Sequence, residues 1–436
     1  MNSYIEAPNR QKIYIQSTSL GLLTLATAFF PRVLTALGAP SLINFLHFIL
    51  ATVLFVWLLP KIRSYLSLKT VGSLFALFGI ISASAVLNRA GVINIFLDFL
   101  LLAEPFMLLL AIINARMSPT KAEQLQTWLT RFALINLFFG LFQALILRPL
   151  NPDDVKGVFI AQGAGHVVGA SVSMTFAIYY FVVAKAQPFW LRTLVVIAAL
   201  VHTARADAKQ VLFVFLAALV ILMLLRLQDI GKVLQYLLIT ATGIGAVIWA
   251  ANTVLPAIKH WFDISIITEG FNLKYSGFSI ITSYYHSPLN WWLGLGPGHT
   301  IGRLGGWLVW DYIDLLGPLG VTTSPASKAV WSAVAANWLG DKSSMWSPLF
   351  SWAGVWGDLG LLGLGVYVYL WFLVWHHLCS DDLSRFLLLT VFVFGLIFSQ
   401  LEEPGYMLFV ISIIGSHWQG HCRHYLVARD SIGLSP

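Results

Sequence analysis

The chain reads as an all-α polytopic membrane protein of about twelve transmembrane helices with one large polar loop late in the sequence. Of its 436 residues, 58% are hydrophobic and only 10% charged, with a mean hydropathy of +0.79, whereas a soluble domain carries about one quarter charged residues. Apolar runs of about 20 residues, the length that crosses the hydrocarbon core, recur along the chain. They are continuous rather than alternating, which selects helices over a closed barrel.

The expected spans are 17–38, 41–60, 70–88, 92–114, 127–147, 165–184, 190–204, 210–225, 234–255, 350–375, 386–401 and 405–419. The first follows a weakly basic start (Arg10, Lys12), but a second full span comes at once with no clear cleavage site, so it reads as a retained helix rather than a secretory signal. The chain divides into 1–255 (helices one to nine), a loop over 256–349, and 350–436 (helices ten to twelve and a short tail). No internal repeat is visible. Cys379 and Cys422 are too few for a disulfide framework and read as free thiols.

Charge fixes the expected orientation. With a cytoplasmic N-terminus, inner loops and span ends hold 14 Lys and Arg against 5 in the short outer loops (Arg89, Arg148, Lys156, Arg205, Lys209), while Arg32 and Arg131 lie near span edges. The positive-inside rule then puts both termini in the cytoplasm and the 256–349 loop outside, since long loops are exempt from the count. The net charge of +7 is largely a matter of this topology, and no nucleic-acid partner is expected.

Two of the outer cations, Arg205 and Lys209, share one short hairpin. Either it is a solvated turn with snorkelling side chains, or something on the outer face requires the charges. In the loop, Gly294, Gly296, Pro297 and Gly298 are followed by Arg303. There is no βαβ unit to make this a dinucleotide fingerprint. The glycines suit a tight turn whose N–H groups converge on an anion, with Arg303 adding a bidentate grip on phosphate; a turn entering a helix on the membrane surface is the other reading. Eight loop tryptophans (Trp261, Trp291, Trp292, Trp307, Trp310, Trp331, Trp338, Trp346) suit an interfacial position, with sugar stacking as an alternative.

Ionisable residues within spans are functional by default. Asp98, Glu104 (before Pro105) and Asp358 are such residues, paired burial being the competing explanation, and Glu402 and Glu403 end the eleventh span before Pro404. His166, His202, His286 and His299 fall on the outer side, where an imidazole can act as a general base or serve only as a hydrogen-bonding group. Clustered metal ligands are lacking, so neither metal nor cofactor is expected.

The order and sidedness of these motifs resemble the bacterial O-antigen ligase and polysaccharide polymerase (Wzy-like) superfamily of membrane glycosyltransferases. The loop motif ending Gly294-Leu295-Gly296-Pro297-Gly298, the Asp358-x-Gly360-x-x-Gly363 segment and Ala204-Arg205 at an external helix end carry the resemblance. It implies a GT-C-like helical fold and an inverting, metal-independent transfer of a glycan from a polyprenyl-diphosphate-linked oligosaccharide to a second lipid-linked glycan, on the outer face of the inner membrane. Lipid, chain-length regulator and flippase proteins are the partners it implies. On this reading Arg205, Lys209 and Arg303 hold the diphosphate, and His166, His299 and Asp358 are the candidate bases. Ligases of the superfamily carry a loop histidine shortly before the acidic-Gly segment. Residues 343–350, Ser-Ser-Met-Trp-Ser-Pro-Leu-Phe, contain none, which favours a polymerase over a ligase; a flippase for lipid-linked sugars is the rival from another class.

Overall fold

The computed structural model describes residues 8–115, 118–160, 164–253, 263–342 and 344–431, which are helical with no strand. Lys259, Trp261 and Gly163 lie outside the described residues, as does the side chain of Cys422. In chain order the principal helices are α1 (Pro8–Phe29), α2 (Pro31–Ala36), α3 (Leu46–Leu58), α4 (Tyr65–Asn88), α5 (Val92–Asn114), α6 (Pro119–Phe142), α7 (Gly165–Val183), α8 (Phe189–Arg205), α9 (Lys209–Leu224) and α10 (Ile230–Thr253). Then come α11 (Ile264–Ser283), α12 (Asn290–Leu293), α13 (Pro325–Ala335), α14 (Ser351–His377), α15 (Asp382–Ile397) and α16 (Pro404–Ser431).

Most expected spans lie largely on one helix, while 17–38 is divided between α1 and α2, 386–401 runs past the end of α15, and residues 254 and 255 of the ninth lie outside the described residues. Six helical segments among the described residues are long and apolar enough to cross a membrane: Ser41–Lys61, Tyr65–Asn88, Val92–Asn114, Thr120–Leu147, Gly165–Val183 and Ser351–His377. Some of the remaining helices are short for local reasons. Pro31 interrupts the first apolar stretch, and α9 and α15 are 16 residues each, about 24 Å at 1.5 Å per residue.

Capping fixes several boundaries: Ser64 accepts from the Ser67 N–H, Ser118 from Lys121, and Asp381 from Ser384, each satisfying one of the orphan donors of a first turn. At the centre stands α5, against which α1, α3, α4 and α16 pack. Nearly all of its middle is buried, Asp98 and Glu104 included.

One end of the bundle carries the loop. Ser84 and Asn88 at the end of α4 donate to the carbonyls of Leu293 and Gly294, and Asn94 at the start of α5 donates to those of Pro297 and Thr322. The same end gathers the start of α14, tied to the end of α15 by the Ser351 N–H and Oγ on the Phe398 carbonyl, and Arg32, just after α1, which bonds Glu403 ahead of α16.

The glycines Gly294 and Gly360 lock the loop to α14. Gly360 interrupts α14 with φ +65° and ψ −163°, and Gly294 holds a similar φ of +70°. A Cβ on Gly360 would lie 2.3 Å from the Trp292 carbonyl carbon, and one on Gly294 2.3 Å from that of Asp358. Farther along, the loop helix α11 is tied to the approach to α14 by Lys274, which donates to the carbonyls of Met345 (3.1 Å) and Ser347 (2.9 Å). Burial pushes this lysine from 10.5 down to about 7.

Two outcomes follow from these locks. Gly360→Ala combines a left-handed backbone with the Trp292 clash and should lower stability by about 2 kcal/mol or more, visible as a lower Tm in detergent, whereas Gly365→Ala, whose Cβ meets nothing within 4 Å, should not. Unfolded Lys274 binds its proton up to 10.5 but the folded chain only up to about 7, so the unfolded state holds more protons in that window and stability rises with pH across it. Tm should therefore climb between about pH 7 and pH 10, and the Lys274 share of that climb should vanish in Lys274→Met.

Candidate functional site

The break in α14 exposes backbone carbonyls that the glycine turn satisfies. Leu295 N–H donates to the Gly357 carbonyl (2.8 Å) and Gly296 N–H to that of Asp358 (3.0 Å), which also accepts from Ser84 Oγ (2.8 Å). The next three N–H groups converge on the Asp358 carboxylate: Gly298 at 3.0 Å, His299 at 3.2 Å and Thr300 at 2.7 Å. The anion nest expected from the glycines therefore exists, but its anion belongs to the chain. The N–H groups expected to grip a ligand phosphate are thus taken by the chain itself, and Asp358, one of the expected bases, is anchored by three donors.

His299 is a fastener as well. Its Nδ1 pairs with the Leu295 carbonyl and its Nε2 with Thr322 Oγ1, both at 2.9 Å. A carbonyl only accepts, so Nδ1 carries a proton. Burial pushes this imidazole downward, opposed by the Leu295 contact, and Nε2 faces the Thr322 hydroxyl, which also lies 3.3 Å from Asn94 Oδ1.

Beyond the nest the turn meets a second carboxylate. Arg303 N–H donates to Glu402 Oε2 at 2.6 Å, and a Cβ on Gly302 would lie 3.2 Å from that oxygen and 3.6 Å from Asp358 Oδ2. Burial, against the pull of the Arg303 N–H, pushes Glu402 up to about 8, so it is mostly uncharged at neutral pH. The Arg303 side chain is buried, ion-paired to Glu403 Oε2 and stacked over Trp307 at 4.8 Å. On the other oxygen of Glu403 sits Arg32 Nη2 at 2.6 Å, with its guanidinium 5.5 Å from the Phe159 ring centre.

Glu403 thus bridges two arginines drawn from opposite ends of the sequence. They line a small cleft of about 30 Å³ together with Asn44, His47, Trp307 and Tyr312. Asn44 Nδ2 donates to the Tyr312 hydroxyl at 2.9 Å, and Arg303 Nε is buried without a hydrogen-bond partner. Two guanidiniums, which keep their protons at any physiological pH, face one carboxylate, so the pair carries an excess positive charge. Among the described residues no group of three or more His, Cys, Asp and Glu side chains has metal-holding geometry.

The six residues expected at the site fall into two groups. Asp358, His299 and Arg303 share the glycine turn. His166, Arg205 and Lys209 belong to a neighbouring cluster: His166 Nε2 lies 3.5 Å from Asp153 and within electrostatic reach of Asp207 and Lys209, Lys209 pairs with Asp207 at 2.8 Å, and the exposed Arg205 reaches the Ala144 carbonyl at 3.5 Å. The hairpin cations and Arg303 therefore engage different elements, and the partner of Arg303 in the cleft is Arg32. Sequence reasoning had set Arg32 aside as a span-edge charge, although it breaks the orientation rule just as Arg205 does. His47 went unremarked inside an apolar span.

No protein-family model matches the chain, and no curated protein matches it either.

An anchoring Asp358 gives a distinct mutational signature. Asp358→Asn replaces one acceptor oxygen by an amide whose hydrogens face N–H donors, leaving at least one buried N–H unpaired at about 1–3 kcal/mol. Protease cleavage within 294–300 should accelerate; lost turnover with unchanged protease resistance would instead return Asp358 to a catalytic role.

Proposed function

We propose that the protein is a membrane polysaccharide polymerase of the Wzy-like type. On this reading about twelve helices, arranged in a GT-C-like manner with both termini cytoplasmic, carry the loop on the outer face of a bacterial inner membrane. A glycan passes there from a polyprenyl-diphosphate-linked donor to a second lipid-linked glycan. The observation that carries this reading is the Arg32–Arg303 pair bridged by Glu403 in the cleft. Guanidinium forks match two phosphate oxygens each, and the departing diphosphate is where negative charge develops during transfer. Fixed cations at such a point are often the largest catalytic term. Glu403 occupies the forks as a carboxylate stand-in, and a diphosphate of higher charge displaces it. Bundle and cleft together suit a substrate that is part lipid and part sugar phosphate.

The test is turnover of a polyprenyl-diphosphate-linked oligosaccharide by the purified full chain, read as a ladder of product lengths. Arg32→Lys and Arg303→Lys should each lower turnover on the order of a hundredfold, and the double variant should lose less than the product of the two, because both act on one group. Glu403→Gln removes the internal competitor and should tighten donor binding. A single product on a lipid-anchored acceptor would indicate a ligase; movement of intact donor across vesicles without transfer would indicate a flippase.

A further inference from the structure

The mechanism just proposed needs a group to take the acceptor's proton, and the sequence candidates do not fill that role in the cleft: Asp358 and His299 are engaged in holding the turn, and His166 stands in the neighbouring cluster. The cleft contains one other imidazole, His47, in the first turn of α3. Its Nδ1 lies 2.9 Å from both carboxylate oxygens of Glu104, in the middle of α5. Both side chains are buried, Glu104 to 1% exposure and His47 to 8%.

We infer that His47 and Glu104 form a catalytic dyad in which His47 is the general base and Glu104 the positioning residue; this rests on the glycosyl-transfer reading above. A carboxylate facing Nδ1 fixes the proton there, which leaves the lone pair on Nε2, the nitrogen remaining to serve a bound group. The same carboxylate compensates the imidazolium that forms once Nε2 takes a proton. Packing alone gives weak reason for such a pair, since replacing a buried ion pair by apolar side chains of similar volume is often neutral or stabilising. Ionisable groups inside a span mark functional sites far more readily. Glu104 is also followed by Pro105, which has no N–H to return to the Leu101 carbonyl, and Leu101 itself lines the cleft.

The step balances as follows. The acceptor hydroxyl gives its proton to His47 Nε2 as its oxygen bonds to the anomeric carbon of the donor. The bond from that carbon to the diphosphate oxygen breaks, and its electron pair leaves with the diphosphate, held by Arg32 and Arg303. The proton on His47 passes to water when product departs. The charged and titratable groups near the imidazole are Glu104 on α5, Arg32 after α1, Arg303 and Tyr312 from the loop, and Glu403 ahead of α16.

The decisive experiment uses the purified full chain and a polyprenyl-diphosphate-linked oligosaccharide, with donor binding and the pH dependence of kcat measured separately. His47→Gln keeps an N–H for Glu104 and removes the base, so kcat should fall on the order of a hundredfold or more, donor binding should stay within about twofold, and the acid limb of the pH profile should disappear. Glu104→Gln should retain part of the activity and shift that limb. Near-normal kcat in His47→Gln, or a loss confined to donor binding, overturns the dyad while leaving the polymerase reading intact. A wild-type chain with no transfer activity overturns both. Should His47→Gln not accumulate in membranes, Glu104→Gln decides alone: a shifted acid limb supports the dyad and an unchanged one overturns it.

Discussion

The contact on which the site depends is the Asp358 carboxylate in the cradle of three loop N–H groups. A helix broken inside an apolar bundle leaves carbonyls that no water satisfies, and a loop turn leaves N–H groups in the same state. Here each answers the other. The Leu295 and Gly296 N–H groups take the carbonyls freed around Gly360, while the Asp358 carboxylate, set by the same break, takes the next three N–H groups of the turn. The arrangement needs backbone against backbone, which is why Gly294 and Gly360 both hold positive φ and why neither has room for a Cβ. Residue identity, local conformation and tertiary docking are one constraint at this point.

That constraint propagates to the chemistry through chain direction. Once residues 298–300 are fixed on Asp358, the chain passes between two carboxylates at Gly302, and the Arg303 N–H lands on Glu402. The side chain of Arg303 then has one exit, into the cleft with Trp307 on one side and Glu403 on the other. Arg32 reaches the same carboxylate from α2, because Pro31 stops the first apolar helix and starts this short one. Burying two guanidiniums together is unfavourable unless an anion sits between them. Glu403 supplies it from within the chain, and Glu402, held largely neutral by burial, does not cancel what remains.

Much of the frame was legible in the sequence because a bilayer imposes a length, and runs of that length are hard to hide: the expected spans lie largely on helical segments, six of them long and apolar enough to cross a membrane. The glycine motif was legible as a turn with convergent N–H groups, and Arg303 as a phosphate-type side chain beside it. What the sequence withheld was pairing. A nest looks the same whether its anion is a ligand or a carboxylate 60 residues further on, and Asp358 had been assigned to chemistry rather than to anchoring. Arg32 and Arg303 stand 271 positions apart in the chain, so only the docking of the loop on the bundle makes them neighbours. Arg205 and Lys209 satisfied the same orientation argument and were more conspicuous as a pair. His47 was silent because one imidazole barely perturbs the hydropathy of an apolar run, whereas Glu104, to which it is bonded, was visible at once.

On the proposed reading, the position of Glu403 sets how a ligand can enter. It lies on the short connection between α15 and α16, after the extended Phe398 and ahead of Pro404, and that connection is pinned by Gln400 donating to Ser171 on α7 and by the Glu402 carboxylate on the Arg303 N–H. Gln400 and Glu402, just before Glu403, are both held, so on the proposed reading exchange of this internal anion for an external one is a rotation of the Glu403 side chain rather than an opening of the connection. Both arginines are likewise anchored, Arg303 through its own N–H and Arg32 against the Phe159 ring. On the proposed reading the cations stay in place while the anion between them changes, the condition under which preorganised charge lowers a barrier instead of merely tightening binding.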